Sequence, residues 1–363
     1  MCWPHEPESM QIHQLVPALH DGDAIGDSAR AIRDFLRRKH INSNIYAYTI
    51  DDNLSQEAID FKSQQPPDGP DVLLILHFAL PSGMTEYLKR AHCKKALIYH
   101  NITPAFYWLR YDKALVHLAY AGRKELESLA PFIDRAAGDS EYNRQELQQL
   151  SFPNTCVLPI YVKQERYSIA PSPYVLEQLQ NTFNFLFVGR VAPNKKLEDV
   201  IKLFHFYRKL YNPLSRLIFV GKINVTPAYY ASLRQLMARL ALMPDDVVFT
   251  GHVDWAELVA YYKSSHIFVS MSEHEGFCVP LIEAMICDTP IVAYSTTAIP
   301  YTLGDAGIQF QEKDFEEIAG ICRKIEIDKS FKDSILETQR KQLKKYSKEE
   351  IEKSVEEFIN PLL

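Results

Sequence analysis

Short, continuous apolar runs alternate with amphipathic segments of helical length along most of the chain. In the second half the apolar runs include 184–188, 216–220 and 267–270. Strands that are apolar on both faces suit the interior of a parallel sheet, because helices cover both sides of such a sheet. Strands that alternate with helices in this way form βαβ units with right-handed crossovers. The alternation therefore predicts an α/β fold built from doubly wound parallel sheets.

The length of 363 residues predicts two such domains, since one core rarely serves a chain of this size. A polar stretch at 161–182 contains an Ala-Pro-Ser-Pro break and interrupts the pattern. We expect an N-terminal Rossmann-like domain at 1–165 and a C-terminal Rossmann-like domain at 166–340. The last segment, 341–363, is predicted to be a helix that could return to pack on the N-terminal domain.

Composition excludes several classes of protein. Forty basic against forty-six acidic side chains leave a net charge of −6, whereas proteins that coat nucleic acid carry a clustered basic excess. No apolar run approaches the roughly 18 residues of a membrane helix, and the first residues show no basic region followed by an apolar stretch. Six scattered cysteines without a C-x-x-C pair indicate reduced thiols. We expect a soluble, cytoplasmic protein.

The predicted first helix carries a concentration of positive charge: Arg30, Arg33, Arg37, Arg38 and Lys39. Such a helix could lie against anionic lipid at the inner face of a membrane. A helix that packs on the core and exposes a solvated charged face is the alternative, and we prefer it modestly. Peripheral membrane contact is therefore left open.

The strongest functional signal is the run SEHEGFCVPLIEAM at 272–285. A buried strand ends just before it, and Pro280 fits the first turn of a helix, where its missing N–H costs nothing. The unpaired N–H groups of that helix would face the ligand edge of the sheet and could bind a phosphate. Glu275 and Glu283 could contact two hydroxyl-bearing parts of one ligand. Two solvated glutamates at an ordinary helix start are the alternative, and the Gly-Phe-x-x-Pro context favours the ligand site.

A second signal follows the strand at 184–188. Arg190 and Lys195 lie there in a loop that leads into a helix. Two fixed cations suit a diphosphate whose negative charge grows as it leaves. Ordinary surface cations are the alternative, but near a helix start they would oppose the helix dipole. Both signals fall at the same edge of one predicted sheet, which favours the diphosphate site.

Together the motifs G-R-x-x-x-x-K, E-G-F-x-x-P-x-x-E-A-M and T-P-I-V-A resemble those of the retaining glycosyltransferases of family four, within glycosyl transferases group one. The likeness is close over 184–293 and loose over most of the chain. It implies the GT-B fold, in which two Rossmann-like domains face a central cleft. These motifs are specific for the family but not for any sugar.

The resemblance also implies roles for individual residues. Arg190 and Lys195 would hold the donor diphosphate, and Glu283 would bind the ribose hydroxyls. Glu275 would contact the donor sugar as a catalytic residue, and Val253 would line the base pocket. The backbone amides that reach the sugar and phosphate would be those of Gly276, Phe277, Cys278 and Val279.

In the N-terminal half, the family carries a glycine-rich loop between the first strand and the first helix. Here Gly22 and Gly26 are separated, unlike the commoner double glycine. We expect the backbone amides of Gly26 and Asp27 to approach the donor phosphate. A plain strand-to-helix loop without a ligand has comparable weight.

Two polar residues follow other N-terminal strands. His100 ends the predicted strand at 96–99, where the family often has a histidine beside the donor sugar and scissile bond. We therefore expect His100 to point to the cleft edge as a catalytic residue, although a lone histidine at a strand end is more often structural. Ser140 is interpreted mainly as a helix N-cap and only weakly as a ligand contact.

The implied reaction moves a hexose with retention from a UDP- or GDP-sugar to a glycan or lipid-linked saccharide, as in polysaccharide biosynthesis. A front-face mechanism fits, because the leaving phosphate oxygen takes the acceptor proton and no side-chain nucleophile is needed. We expect no metal and no cofactor, since cations and a helix N-terminus would stabilise the leaving group. No nucleic acid partner is expected, and the oligomeric state is not determined.

Two alternatives stay open. Another GT-B enzyme, a sugar-nucleotide epimerase or a phosphorylase, would share the cleft without an acceptor of this kind. A catalytically silent sugar-nucleotide-binding subunit belongs to a different class. The presence together of His100, Arg190, Lys195, Glu275 and Glu283 weighs against silence.

Overall fold

The computed structural model describes residues 10–363. Cys2 and the first residues, in which no basic region followed by an apolar stretch was found, therefore lie outside the described residues. The chain divides into two compact units. The first contains the described residues up to Ala105, together with His117–Val162 and Tyr346–Leu363. The second contains Phe106–Val116 and Lys163–Lys345.

The first unit is built on a parallel sheet of seven strands. The strands are β1 (Gln11–Leu19), β2 (Ile45–Ile50), β3 (Ile59–Asp60), β4 (Val72–Phe78), β5 (Lys94–Tyr99), β6 (Arg135–Gly138) and β7 (Cys156–Val157). Their order is β3-β2-β1-β4-β5-β6-β7, so the direction of winding reverses between β1 and β4. All seven side chains of β4 are buried, as its apolar run predicts for a central strand.

The helices associated with this part of the chain are α1 (Ala24–Arg38), α2 (Met84–Arg90), α3 (Lys113–Leu129) and α4 (Glu141–Gln149). The basic residues of α1 are engaged by partners within the first unit. Arg30 pairs with Asp27, Arg33 with Asp34 and Glu57, Arg38 with Glu352 and Lys39 with Glu356, while Arg37 donates to Ser43 and Asn44. With its charges paired and its apolar face in the core, α1 fits the packed-helix interpretation better than the lipid one.

The second unit has a parallel sheet of six strands. They are β8 (Phe183–Val188), β9 (Ser215–Val220), β10 (Val247–Gly251), β11 (Ile267–Ser270), β12 (Ile291–Tyr294) and β13 (Ile308–Phe310), in the order β10-β9-β8-β11-β12-β13. Its helices are α5 (Pro173–Leu179), α6 (Leu197–Leu210), α7 (Pro227–Arg239), α8 (Trp255–Ser264), α9 (Val279–Ile286), α10 (Ile299–Leu303), α11 (Phe315–Ile327) and α12 (Lys329–Leu343). The winding reverses between β8 and β11, the place where such sheets bind ligands.

A close backbone approach fixes the end of β8 against the end of β9. Gly221 has φ +139°, and a Cβ at this position would lie 2.3 Å from the carbonyl oxygen of Gly189. Any side chain would therefore push the two strand ends apart. The glycine keeps the loop that follows β8 in place.

The last helix, α13 (Lys348–Ile359), packs with the first unit. Its residues Val355, Phe358 and Ile359 join one buried cluster with Ile12 of β1 and Ile75 of β4. Beyond the helix, Lys94 Nζ donates to the carbonyl oxygen of Leu362 at 2.6 Å. The terminal segment is thus part of the first unit's core.

The segment Phe106–Val116 belongs to the second unit although it lies within the first half of the sequence. The ring of Tyr111 meets that of Tyr229 edge-on, with centroids 5.3 Å apart. The sequence predicted one continuous domain at 1–165, which placed this segment in the first domain. Nothing in the local sequence pattern marks the segment as part of the second unit.

None of the helices within residues 10–363 combines the length and the apolar character needed to cross a membrane.

We predict that Phe358→Ala lowers the free energy of unfolding by about 3 to 5 kcal/mol, because it empties a buried ring-sized space. Phe358 is only 1% exposed. Denaturant unfolding of the full chain measures the change, and Lys353→Ala, at an exposed position of the same helix, is the matched control. Equal stability of both variants would show that α13 does not contribute to the core.

Candidate functional site

The two motifs at the edge of the second sheet are joined by a partly buried ion pair. Lys195 ends a short 3₁₀ turn, Pro193–Lys195, that follows β8. Its Nζ donates to both carboxylate oxygens of Glu275 at 2.6 Å. Glu275 is only 7% exposed. Since β8 and β11 are neighbours, residues 80 positions apart meet here.

A buried amide holds the same two loops together. Asn194 is 4% exposed, and its Nδ2 donates to the carbonyl oxygen of His274 at 2.9 Å. The backbone N–H of Glu273 donates to the carbonyl oxygen of Asn194 at 2.8 Å. From the other side, Thr297 Oγ1 accepts from the N–H of Glu275 at 3.0 Å. Asn194 was not singled out from the sequence, because an asparagine in a loop carries no signal of such a role.

Unpaired backbone donors surround the start of α9. The N–H groups of Gly276, Cys278 and Val279 have no hydrogen-bond partner within residues 10–363. Cys278 is the N-cap with φ +70°, and Phe277 is anchored through its carbonyl oxygen by Thr302 Oγ1 at 2.6 Å. A helix N-terminus with open N–H groups attracts anions. The structure thus places most of the predicted backbone donors where a phosphate could bind.

Arg190 is exposed at the end of β8, and its guanidinium makes no hydrogen bond or ion pair with any of the described residues. Lys195, by contrast, is already paired. The two predicted cations therefore differ, since only Arg190 could bind an anion without giving up a protein partner.

Glu283, in α9, lies between two phenols. Tyr167 donates to its Oε1 at 2.5 Å and Tyr262 donates to its Oε2 at 2.6 Å. Burial raises the pKa of the Glu283 carboxyl, and the two tyrosine hydrogen bonds oppose that effect. The carboxylate is held rigidly, and no lysine, arginine or histidine among the described residues forms an ion pair with it.

A second charged network adjoins the first. Lys313 Nζ lies 2.9 Å from Asp199 Oδ2 and 3.0 Å from Glu273 Oε1, and it sits over the ring of Tyr294. Lys196 also approaches Glu273, at 3.4 Å. These contacts brace the turn that carries Glu275, and neither Lys313 nor Glu273 was singled out from the sequence.

Val253 lies two residues beyond β10, after Gly251 with φ +76°. The N–H of Gly221 donates to the carbonyl oxygen of Gly251 at 2.9 Å, so the ends of β9 and β10 stay together. Val253 is therefore at the same sheet edge as Glu275. Its role in a base pocket stays a prediction.

In the first unit, Gly26 and Asp27 do not present free amides. Helix α1 begins at Ala24, so both residues lie in its first turn. The N–H of Gly26 donates to Asp23 Oδ2 at 3.1 Å, and that of Asp27 to the Asp23 carbonyl oxygen at 2.9 Å. The carboxylates of Asp21 and Asp23 would also repel a phosphate. The expectation that these two amides approach a phosphate is corrected for this conformation, because the helix cap uses them.

Asp21 and Asp23 have the D-x-D spacing often associated with metal binding. Asp23 serves instead as the N-cap of α1. Within residues 10–363, no group of three or more histidine, cysteine, aspartate or glutamate side chains is placed to hold a metal ion.

His100 is engaged by two neighbouring polar side chains. Its side chain is 2% exposed. Its Nδ1 lies 2.9 Å from Asp139 Oδ2 and its Nε2 lies 2.9 Å from His77 Nδ1. Both ring nitrogens are therefore engaged by neighbours within the first unit, and the expected catalytic role of His100 at the cleft edge stays a prediction. His77 and Asp139 were not predicted as its partners.

His100 and His77 belong to a row of hydrogen bonds that runs from Asp139 to Gln14. The donors and acceptors in this row can be assigned from one backbone carbonyl oxygen. Gln14 Nε2 donates to the Ala29 carbonyl oxygen at 2.9 Å, so Gln14 Oε1 must accept from His77 Nε2, also at 2.9 Å. His77 Nδ1 then accepts from His100 Nε2. One further proton must lie between His100 Nδ1 and Asp139.

Burial shapes the protonation of this group. It raises the pKa of Asp139, whose Oδ1 has no hydrogen-bond partner within residues 10–363, while His100 opposes the rise. It lowers the pKa of His77 well below the usual value, and positive charge on His100 adds to that effect. Burial thus keeps His77 neutral.

Ser140 caps α4, as predicted, because its side chain accepts from the N–H of Asn143 at 3.2 Å.

Residues 176–350 match the family model described as glycosyl transferases group 1. The resemblance found in the motifs is thereby confirmed for this part of the chain at the level of glycosyl transferases group 1, and the narrower assignment to the retaining enzymes of family four stays a prediction. The match lies in the second unit, apart from its last residues, and contains the Lys195–Glu275 pair, the start of α9 and Glu283.

Similar proteins of known name cover only part of this chain. Serotype-specific mannosyltransferase WbdA of Escherichia coli is 29% identical over 147 residues, which are 40% of this chain and 18% of that protein. Capsular polysaccharide biosynthesis glycosyltransferase CapM of Staphylococcus aureus is 26% identical over 193 residues, which are 51% of this chain and 48% of that protein. The chain thus spans less than half of the length of either relative.

Similar solved structures cover nearly the whole chain. Anabaena Alr3699/HepE in complex with UDP-glucose has a TM-score of 0.75 at 16% identity, with 97% of this chain and 100% of that one covered. Sucrose-phosphate synthase of Thermosynechococcus elongatus has a TM-score of 0.74 at 16% identity, with 97% and 99% covered. The predicted fold class, two doubly wound α/β units of the GT-B type, is confirmed.

We predict that His77 stays neutral, with its proton on Nε2, between about pH 5 and 8, because its folded-state pKa is depressed by burial. Long-range ¹H–¹⁵N correlation spectra of the histidine rings measure the tautomer, and loss of one signal set in His77→Gln assigns it. A proton on Nδ1, or a titration of His77 within that range, would contradict the order of donors given above.

Proposed function

We propose that this protein is a hexosyltransferase that transfers a sugar from a nucleotide diphosphate to a saccharide. One observation supports this above the others. The open N–H groups of Gly276, Cys278 and Val279 lie in a segment of glycosyl transferases group 1, directly beside the Lys195–Glu275 ion pair. Donors for an anion and a carboxylate for a polar ligand thus meet at one sheet edge.

The geometry suggests how a bond to a diphosphate would break. Negative charge on the leaving phosphate would be stabilised by the helix N-terminus and by the unpaired Arg190. Lys195 would turn from Glu275 toward the diphosphate or hold both. Glu275 is then close enough to orient a sugar hydroxyl and to stabilise positive charge at the reacting carbon. Retention by a front-face route is part of the proposal, with the leaving oxygen accepting the acceptor's proton.

The partners are proposed from the similar proteins. HepE was solved with UDP-glucose, and WbdA is named a mannosyltransferase. We propose a UDP- or GDP-hexose as donor and a glycan or lipid-linked saccharide as acceptor. The five described cysteines are free thiols, which agrees with a cytoplasmic location. Contact with the inner face of a membrane stays open.

A donor panel tests the proposal. The full chain is incubated with UDP-, GDP- and ADP-hexoses and a mixture of saccharide acceptors, and products are identified by mass spectrometry. Transfer supports the proposal, whereas isomerised donor or sugar phosphate as the product would indicate an epimerase or a phosphorylase. Stabilisation by donors without any turnover would indicate a silent binding subunit.

We predict that Arg190→Ala lowers kcat by on the order of a hundredfold or more, because the guanidinium strengthens its contact as the phosphate leaves. Steady-state kinetics with the donor found in the panel measure this. Arg234→Ala is the matched control, since Arg234 is also exposed but lies on α7. Unchanged kcat in Arg190→Ala would remove this residue from the mechanism.

We predict that substitution of the two glutamates changes different kinetic parameters. Glu275→Gln should mainly lower kcat, because it removes charge beside the reacting sugar. Glu283→Gln should mainly raise the donor KM, because ribose does not change during the reaction and its binding is uniform. Similar small changes in both parameters for both variants would contradict the separation of roles.

We predict that activity survives excess EDTA, since protein cations and backbone donors are proposed to hold the diphosphate. Complete loss of activity that magnesium or manganese restores would show that this prediction is wrong.

A further inference from the structure

The surroundings of Glu283 contain two buried phenols where an ion pair could have been expected. Tyr262 is fully buried and Tyr167 is 5% exposed, and each donates to a different oxygen of the carboxylate. A lysine or arginine would have cancelled the charge. Phenols are neutral donors, and their hydrogen bonds favour the ionised carboxylate, which opposes the rise in the pKa of Glu283 that burial causes.

The remaining acceptor capacity of the carboxylate is limited by this arrangement. An ionised carboxylate offers about four lone-pair sites, two on each oxygen. Each tyrosine fills one site on its own oxygen. One open site is left on each oxygen, and two neighbouring hydroxyl groups of one ligand could fill both. The arrangement is therefore suited to a vicinal diol.

The two phenols are themselves held in place. The ring of Tyr262 stacks on Phe268, and the Tyr262 carbonyl oxygen accepts from Thr289 Oγ1 at 3.0 Å. Tyr167 lies in the 3₁₀ turn Gln164–Ser168 and meets the ring of Trp255 edge-on at 6.1 Å. Rotation of Glu283 would break a short hydrogen bond to a group that cannot follow it.

We infer that Tyr167 and Tyr262 are positioning residues that orient Glu283 toward the 2′- and 3′-hydroxyls of a nucleoside diphosphate and make this site select ribose over deoxyribose. The inference rests on the proposed function, because it takes Glu283 to face the nucleotide. It adds two residues that the motif does not contain, one of them outside the matched segment 176–350.

The test compares ribose and deoxyribose ligands in three variants. Binding of UDP or GDP, whichever binds the wild type, is measured by calorimetry beside its 2′-deoxy and 3′-deoxy analogues. The variants are Tyr167→Phe, Tyr262→Phe and Tyr207→Phe. Tyr207→Phe is the matched control, because it also removes a phenol–carboxylate hydrogen bond of 2.6 Å. In this case the carboxylate is that of Glu326 in α11 and not that of Glu283.

We expect the wild type to bind each deoxy analogue about tenfold or more weakly than the ribonucleotide. In Tyr167→Phe and Tyr262→Phe the ribonucleotide should bind about tenfold more weakly, and the preference for ribose should fall below about threefold. Tyr207→Phe should keep the full preference. A purely structural role would weaken all ligands alike and leave the preference unchanged.

The possible failures are distinct. If the wild type binds ribo- and deoxynucleotides equally, or binds none of them, the ribose role of Glu283 in the proposed function is wrong. If the wild type prefers ribose and both phenylalanine variants keep that preference, the proposed function stands and the inference about the tyrosines is overturned. Thermal melts show whether each variant is folded, and Tyr167→Phe, in the less buried position, supplies the result if Tyr262→Phe does not fold.

Discussion

The candidate site depends on the reversal of winding that makes β8 and β11 neighbours. Loops that follow adjacent parallel strands emerge at the same edge, so the turn with Lys195 and the turn with Glu275 meet although 80 positions separate them. Asn194 and Lys313 then brace these turns with further hydrogen bonds. Without this order of strands the two motifs would be unrelated loops on different parts of a sheet.

Most charged side chains at this edge already have partners within the protein. A buried carboxylate is costly unless it is paired, and Lys195 supplies the partner of Glu275. Glu283 is satisfied by two phenols, and it remains an acceptor. The N-terminus of α9 and Arg190 keep unused capacity for an anion. At this edge Lys195 and Glu275 neutralise each other, while Arg190 and the N–H groups at the start of α9 have no partner among the described residues.

In the first unit, tertiary packing decides which hydrogen-bond partners a predicted site residue has. His100 ends a strand, a place that often carries catalytic groups, yet β4 and β6 place His77 and Asp139 against both of its ring nitrogens. Gly26 and Asp27 differ from this case, because their amides are used by Asp23, only three and four positions away, in the cap of α1. The partners of His100 depend on contacts distant in sequence, whereas those of Gly26 and Asp27 depend on the local start of a helix.

The sequence by itself determined the alternation of strands and helices, the presence of two α/β units and the family motifs at 189–195 and 275–285. These follow from local patterns of apolar residues, glycine and proline, which act within a few positions. Only the tertiary structure decided which groups are free and which are paired. Ion pairs such as Lys195–Glu275, the phenols around Glu283 and the buried partners of His100 join residues 21 to 116 positions apart. Such contacts depend on strand order and side-chain direction, and a linear pattern does not encode either in a readable form.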